Sequence, residues 1–244
     1  MNKKGQIDYL KGLVGSIAYD DDLFTLRLEN DNKAIFGIMG NGVFNGIHKH
    51  FEYKTLYDSI IHIDLAVNMS LNLAIDCAYE DYEKTHNPFS QDVSESERLA
   101  IYYIENAVFR TSILWDMLAQ LFNVKHNIVS DKTKIYYKSF FGTHLSKVDS
   151  TNATVITDYL EQDDNTDDEL WQGNHVYISE YRNQMTHRNS PNVSSMSNYA
   201  CQIRLPARYV LKRVVEDYSQ VSKFIKNFVD DIDIKSLLEV IEET

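Results

Sequence analysis

The chain has 244 residues, a formal net charge of −12, 43% apolar and 25% charged residues, so it can bury a substantial core. The negative balance argues against loose binding along a long nucleic acid, which depends on many phosphate contacts. Two cysteines, Cys77 and Cys201, without metal or redox spacing, exclude a disulfide framework and read as reduced thiols of a cytoplasmic protein.

The N-terminal stretch from Met1 to Asp22 has no continuous apolar core of the kind a secretory signal needs and reads as irregular chain. Phe24, Leu26 and Leu28 then alternate with polar residues. Asn30-Asp31-Asn32 supplies a turn and Ala34 to Met39 a second apolar run, a pattern that predicts a short β-hairpin. Gly40-Asn41-Gly42 and Gly46 fit neither the dinucleotide fingerprint nor the P-loop and read as a plain turn. Residues 1–50 are thus expected to be a small extension, and residues 51–244 a helical domain.

From Phe51 to Tyr82, Leu56, Ile60, Ile63, Val67, Leu71, Ala74 and Ala78 recur at helical spacing. His62, Asp64, Asn68, Asn72 and Asp76 within its most apolar part argue against a membrane span. Ser94 and Glu97 form a capping-box signature. The helix they open runs through Leu99, Tyr103, Ala107, Ile113, Leu114, Met117 and Leu121 to about Asn123. Its polar residues Asn106, Arg110 and Asp116 either satisfy buried hydrogen bonds or face a site. Asp131 to Phe141 reads as a shorter helix stopped by Gly142, and Asn152 to Leu160 as another. Gln162 to Gln172 is acidic and reads as loop, as does the Ser/Asn-rich stretch from Asn189 to Asn198. Pro206 opens a last long helix through Val210, Val214, Tyr218, Val221, Ile225 and Val229, and an amphipathic tail covers Asp233 to Glu242. The sum is an all-α antiparallel helical bundle with a small N-terminal hairpin or irregular addition.

The stretch from His175 to Pro191 differs from an ordinary surface helix. At about 100° per residue, Tyr177, Ile178, Tyr181 and Met185 form an apolar stripe. Ser179, Arg182, Asn183, Thr186 and His187 gather on the other side, where a solvated face would carry Lys and Glu. Acids crowd the segment from Asp158 to Glu169. None follows between Arg182 and Val215, where Arg188, Arg204, Arg208, Lys212 and Arg213 lie. A local basic surface on an acidic body suits a small, site-directed phosphate contact, although solvated helix faces can also differ in sign without purpose.

Arg182-Asn183-x-x-x-His187, late in a helical bundle and followed by a loop and a long terminal helix, resembles the Arg-polar-x(3–5)-His motif of the HEPN superfamily. The resemblance covers the helical part of the chain, with residue-by-residue matches confined to the motif helix. It implies an RNA endonuclease that needs no metal or other cofactor. It also implies a homodimer in which the motif helices of two subunits meet across a cleft, a role as toxin or in defence against phage or stress, and an antitoxin protein as partner. The residues suit that chemistry. RNA supplies its own nucleophile, the 2′-hydroxyl, so the protein has to move protons and stabilise charge. His187, an imidazole with an ordinary pKa of about 6.5, would act as general acid or base. Arg182 would stabilise the phosphorane, and Asn183 would orient the imidazole or donate to phosphate. Ser179, Thr186, Arg188, Asn106 and Arg110 are candidate contacts to the RNA. A HEPN-like module that dimerises or binds a partner without catalysis is the alternative expectation, and binding of a small phosphate compound without cleavage is a third.

Overall fold

A computed structural model describes residues 2–24, 45–80, 82, 93–166, 169–187, 190–196 and 201–232. The fold is all-α, with two short antiparallel ribbons. The chain opens with helix α1 (Lys3–Val14), where irregular chain was expected. Asn2 caps it by accepting the amide of Gly5 at 2.9 Å, and Leu10 and Val14, four apart, bury its inner face. The expected hairpin and the Gly40-Asn41-Gly42 turn fall in 25–44, outside the described residues.

Two long helices follow, α2 (Asn45–Glu80) and α3 (Glu95–His126). Ser94 caps α3 through the amide of Glu97, and Asn127, left-handed at φ 50°, ends it. Lys49 on α2 donates to the carbonyl of Lys125 at the far end of α3, so the two run antiparallel. The last helix, α7 (Ala207–Asp230), buries the predicted stripe of Val210, Val214, Tyr218, Val221, Ile225 and Val229. It runs against α2. Arg208 stacks on Tyr82, Tyr218 donates to Asp64 at 2.5 Å, and Phe228 meets Tyr53. By length and composition alone α2 could cross a membrane. In the fold one face of it, with Ile60, Val67, Leu71 and Ala74, is buried, and Asn68 donates to Tyr218 at 2.7 Å.

The stripe of α3 departs from expectation. Its buried face runs through Ala100, Ile104, Ala107, Thr111, Leu114, Trp115 and Leu118. Leu99 and Ile113, expected inside, are 41% and 39% exposed and share the outer face with Tyr102 and Phe109.

The single helix expected over Asp131–Phe141 is a series of short turns. A 3-10 turn (Lys132–Lys134), the brief α4 (Tyr137–Ser139), a π turn (Phe140–His144) and a second 3-10 turn (Leu145–Lys147) follow one another. Gly142 lies inside the π turn and stops nothing. Burying Ile135, Tyr137, Phe140, Phe141 and Leu145 takes spacings that no single straight helix presents on one face. α5 (Ser150–Leu160) is as expected. The acidic stretch after it is not plain loop, because β1 (Asp163–Thr166) pairs antiparallel with β2 (Glu169–Gln172). Within the Ser/Asn-rich loop, β3 (Ser195–Met196) pairs with β4 (Cys201–Gln202). Between the two ribbons lies α6 (Asn174–His187), the motif helix. The tail from Asp233 lies outside the described residues.

Candidate functional site

Helix α6 packs on α3 and α7, and its polar residues do not all face water. His175, Ser179 and Arg182 fall within about 60° of one another around the helix and turn inward. His175 and Ser179 are buried. Arg182 is half-buried and lines a small cleft with Ser112 and Trp115 of α3, Tyr137 of α4 and Asp217 of α7. The cleft has a volume of about 10 Å³, room for one water, so any larger ligand meets these groups at its mouth.

The floor is a hydrogen-bonded keystone joining five helices. Asp217 is 1% exposed. One oxygen accepts Nδ1 of His175 at 3.1 Å and the hydroxyl of Tyr159 at 3.0 Å. The other accepts the Trp115 indole at 3.2 Å. With Nδ1–H given to the carboxylate, Nε2 of His175 accepts the hydroxyl of Tyr137 at 2.9 Å. The Trp115 ring stacks on Tyr137 and Tyr159 and takes His175 edge-on at 5.1 Å. Burial first, with the neighbouring Asp217 carboxylate, pushes the Tyr159 hydroxyl far above its ordinary pKa, which keeps it a donor.

Tyr137 is followed by Lys138, and so the keystone also sets the cleft's rim. Lys138 is an exposed residue, and its ammonium donates to Ser179 Oγ at 3.0 Å. Burial first, then the charge of Arg182, lowers its pKa. The backbone amide of Tyr137 donates to Asp116. Burial raises the pKa of that carboxyl, and Arg182 opposes the rise. Among the described residues, Lys138 and Arg182 form no ion pair, and the one hydrogen bond of the Arg182 guanidinium goes to Asn183 Oδ1 at 3.4 Å. Two cations side by side with spare donors are arranged to receive an anion.

The other candidates lie farther round. Asn183 and Thr186 are exposed, and Thr186 bonds back to the carbonyls of Arg182 and Asn183. His187 is the last residue of α6. Its side chain, and Arg188 entirely, lie outside what is described. Asn106 and Arg110 bond to each other along α3, Arg110 donating to Asn106 Oδ1 at 2.9 Å, and the α3 residues lining the cleft are Val108, Ser112 and Trp115 instead. The basic run after the motif is not one basic surface either. Arg204 and Arg213 are each 5% exposed, Arg208 lies over Tyr82, and Lys212 sits 3.8 Å from Glu216.

Sequence reasoning missed Lys138, His175 and Asp217. His175 had a readable signal, being two turns before Arg182 on the same face. The other two come from segments with no local mark. Among the described residues no group of three His, Cys, Asp or Glu converges as a metal site would require. No family model matches the chain, and no curated protein or solved structure is significantly similar to it.

Proposed function

We propose that this protein is a HEPN-type RNA endonuclease acting as toxin or defence effector, cutting RNA by attack of the 2′-hydroxyl on the adjacent phosphate. The observation that carries the reading is the half-buried Arg182 guanidinium, held beside Lys138 and Ser179 with donors to spare, on the helix that ends at His187. Arg182 stabilises the charge of the phosphorane. His187 takes the 2′-hydroxyl proton or returns one to the 5′ oxygen, and Asn183 orients phosphate or imidazole. One helix provides one imidazole. A second copy, docked through the motif helix, provides the other, and an antitoxin protein would cover this face.

The test is cleavage of RNA by the purified chain in excess EDTA. Products ending in 2′,3′-cyclic phosphate are expected, and the His187→Ala variant should lower the rate at least a hundredfold, the scale of lost acid–base catalysis, ~10²–10⁴. An unchanged rate in His187→Ala overturns the mechanism.

A second reading, a non-catalytic dimerisation module, is favoured by the outer face of α3. Leu99, Tyr102, Phe109 and Ile113 are 39–59% exposed. With Asn106 at the centre they repeat at three and four, a coiled-coil seam with one polar position. The spacing is nearly the same read in either direction from Asn106, so a second copy laid antiparallel would set Leu99 against Ile113 and Asn106 against itself. On α2, Leu65, Met69 and Leu73 are likewise 42–59% exposed. A chain that dimerises through α3 and leaves every RNA intact would establish this reading.

A further inference from the structure

An open cleft lies where α1 and the C-terminal end of α2 meet the N-terminal half of α7, and it shares no lining residue with the motif cleft. Its volume is about 420 Å³, and it is lined by Gln6, Tyr9, Leu10, Tyr79, Arg208, Tyr209 and Lys212. That is the size of a small-molecule site. Leu10 and Tyr79 are buried and form the floor. Tyr9 and Tyr209 form the walls, 42% and 43% exposed, which is unusual for two large rings facing a shared concavity.

Both wall rings are fixed. The Tyr9 hydroxyl donates to Glu216 at 2.9 Å, and that of Tyr209 accepts Arg213 at 2.9 Å. Tyr177 meets Tyr209 edge-on at 5.7 Å and the Arg213 guanidinium lies 5.3 Å from its centroid, so packing holds this ring from the α6 side. Tyr79 is held likewise, donating to Gln6 at 2.9 Å. With the hydroxyls engaged, the rings offer their faces, and faces bind flat π-systems whatever the pattern of polar groups on the ligand.

The lining adds charge of one sign. Among the described residues Arg208 and Lys212 line the cleft and no acidic residue does, with Glu216 at its edge bonded to Tyr9 and 3.8 Å from Lys212, on a chain with a net charge of −12. Arg208 is anchored by the Tyr82 carbonyl at 3.3 Å and by the Tyr82 ring, while Lys212 is mostly exposed and only loosely paired. A ligand that joins a flat ring to a phosphate answers both features at once.

We propose that this cleft binds a nucleoside monophosphate unit, its base stacked on Tyr9 or Tyr209 and its phosphate held by Arg208 and Lys212. The site is separate from the motif cleft and does not depend on ribonuclease activity.

The test is calorimetric titration of the full chain with AMP, GMP, CMP and UMP, with adenosine and inorganic phosphate as half-ligands, and with a single-stranded DNA hexamer as the unit within a strand. At least one nucleotide, free or in the strand, should bind more tightly than either half-ligand. Tyr209→Ala should weaken it roughly tenfold to a hundredfold, the scale of a lost stacking partner. Tyr209→Phe, which keeps the ring, should retain most of the affinity, and Lys212→Met should weaken nucleotide but not adenosine. Arg182→Ala should leave binding unchanged. No binding at millimolar concentration overturns the assignment, as does binding that survives Tyr209→Ala, with circular dichroism confirming that each variant is folded.

Discussion

Asp217 carries three donors on two oxygens, from His175, Tyr159 and Trp115, and that count makes its replacement by asparagine informative. The amide has one accepting oxygen. Whichever way it turns, at least one buried donor faces an NH₂ group, at a cost of about 1–3 kcal/mol. Asp217→Asn should therefore lower unfolding stability by that amount in urea titration. In a Trp115→Phe background, where the indole donor is already gone, the same change should cost less. Equal losses in both backgrounds would remove the indole from the keystone. Lys138 allows a functional test on the rim. Because Lys138 is an exposed residue and its ammonium hydrogen-bonds Ser179, Lys138→Met should leave the fold intact and weaken RNA binding about tenfold, the scale of one charge-assisted hydrogen bond, while cleavage at saturating RNA stays near wild type. A loss in turnover with unchanged binding would assign the lysine to the chemical step instead.

At the scale of elements, the seam between the N-terminal segment and α2 turns on one buried histidine. His50 is 1% exposed. Because a carbonyl can only accept, the 2.9 Å contact with Phe24 places the proton on Nε2, and Nδ1 is buried with no hydrogen-bond partner among the described residues. Burial first, with nearby Lys54, lowers its pKa, while the Phe24 carbonyl opposes the shift. The unfolded chain therefore takes up a proton below about pH 6.5 before the folded one does. Stability is complete above that value and falls as pH drops toward the folded pKa. His126 adds to the same slope. His50→Gln, which can still donate to Phe24 and does not titrate, should flatten the fall measured by denaturant titration between neutral and mildly acidic pH. An undiminished slope would clear His50. The helices legible in sequence were α2, α3, α5, α6 and α7, whose apolar residues recur at helical spacing. Helix α1 was not legible because Lys3, Lys4, Gly5 and Gly12 dilute its short apolar set. The 131–147 segment was read as one helix because its aromatic residues are dense, although burying them requires a change of turn type. On α6, Ser179 and Arg182 stood out on their helix face. Their partner Lys138 and the Asp217 beneath them did not, because side chains 41 and 42 residues apart leave no periodic trace.

For the whole molecule, the decisive quantity is which surface a second copy would use, since the two functional readings need different ones. Composite acid–base catalysis needs the motif helices to meet, whereas the apolar seam on α3 is laid out for an antiparallel pair centred on Asn106. Exposed apolar positions cost little to replace in a monomer, usually within about 0.5 kcal/mol. In an antiparallel pair centred on Asn106, a lysine at position 102 of one copy would face the lysine at position 109 of the other. The double variant Tyr102→Lys/Phe109→Lys should keep the thermal stability of the monomer unit. If α3 forms the interface, light scattering at micromolar concentration should change from a dimer mass near 57 kDa, twice the 28.3 kDa chain, to the monomer mass. A dimer that survives the double lysine change, yet dissociates when Asn183 and Thr186 on the exposed side of α6 are replaced by glutamate, places the axis at the motif helix and joins the two Arg182 clefts. Cleavage that persists in the α3 variant as a monomer would separate catalysis from association. A single chain would then have to supply both proton transfers.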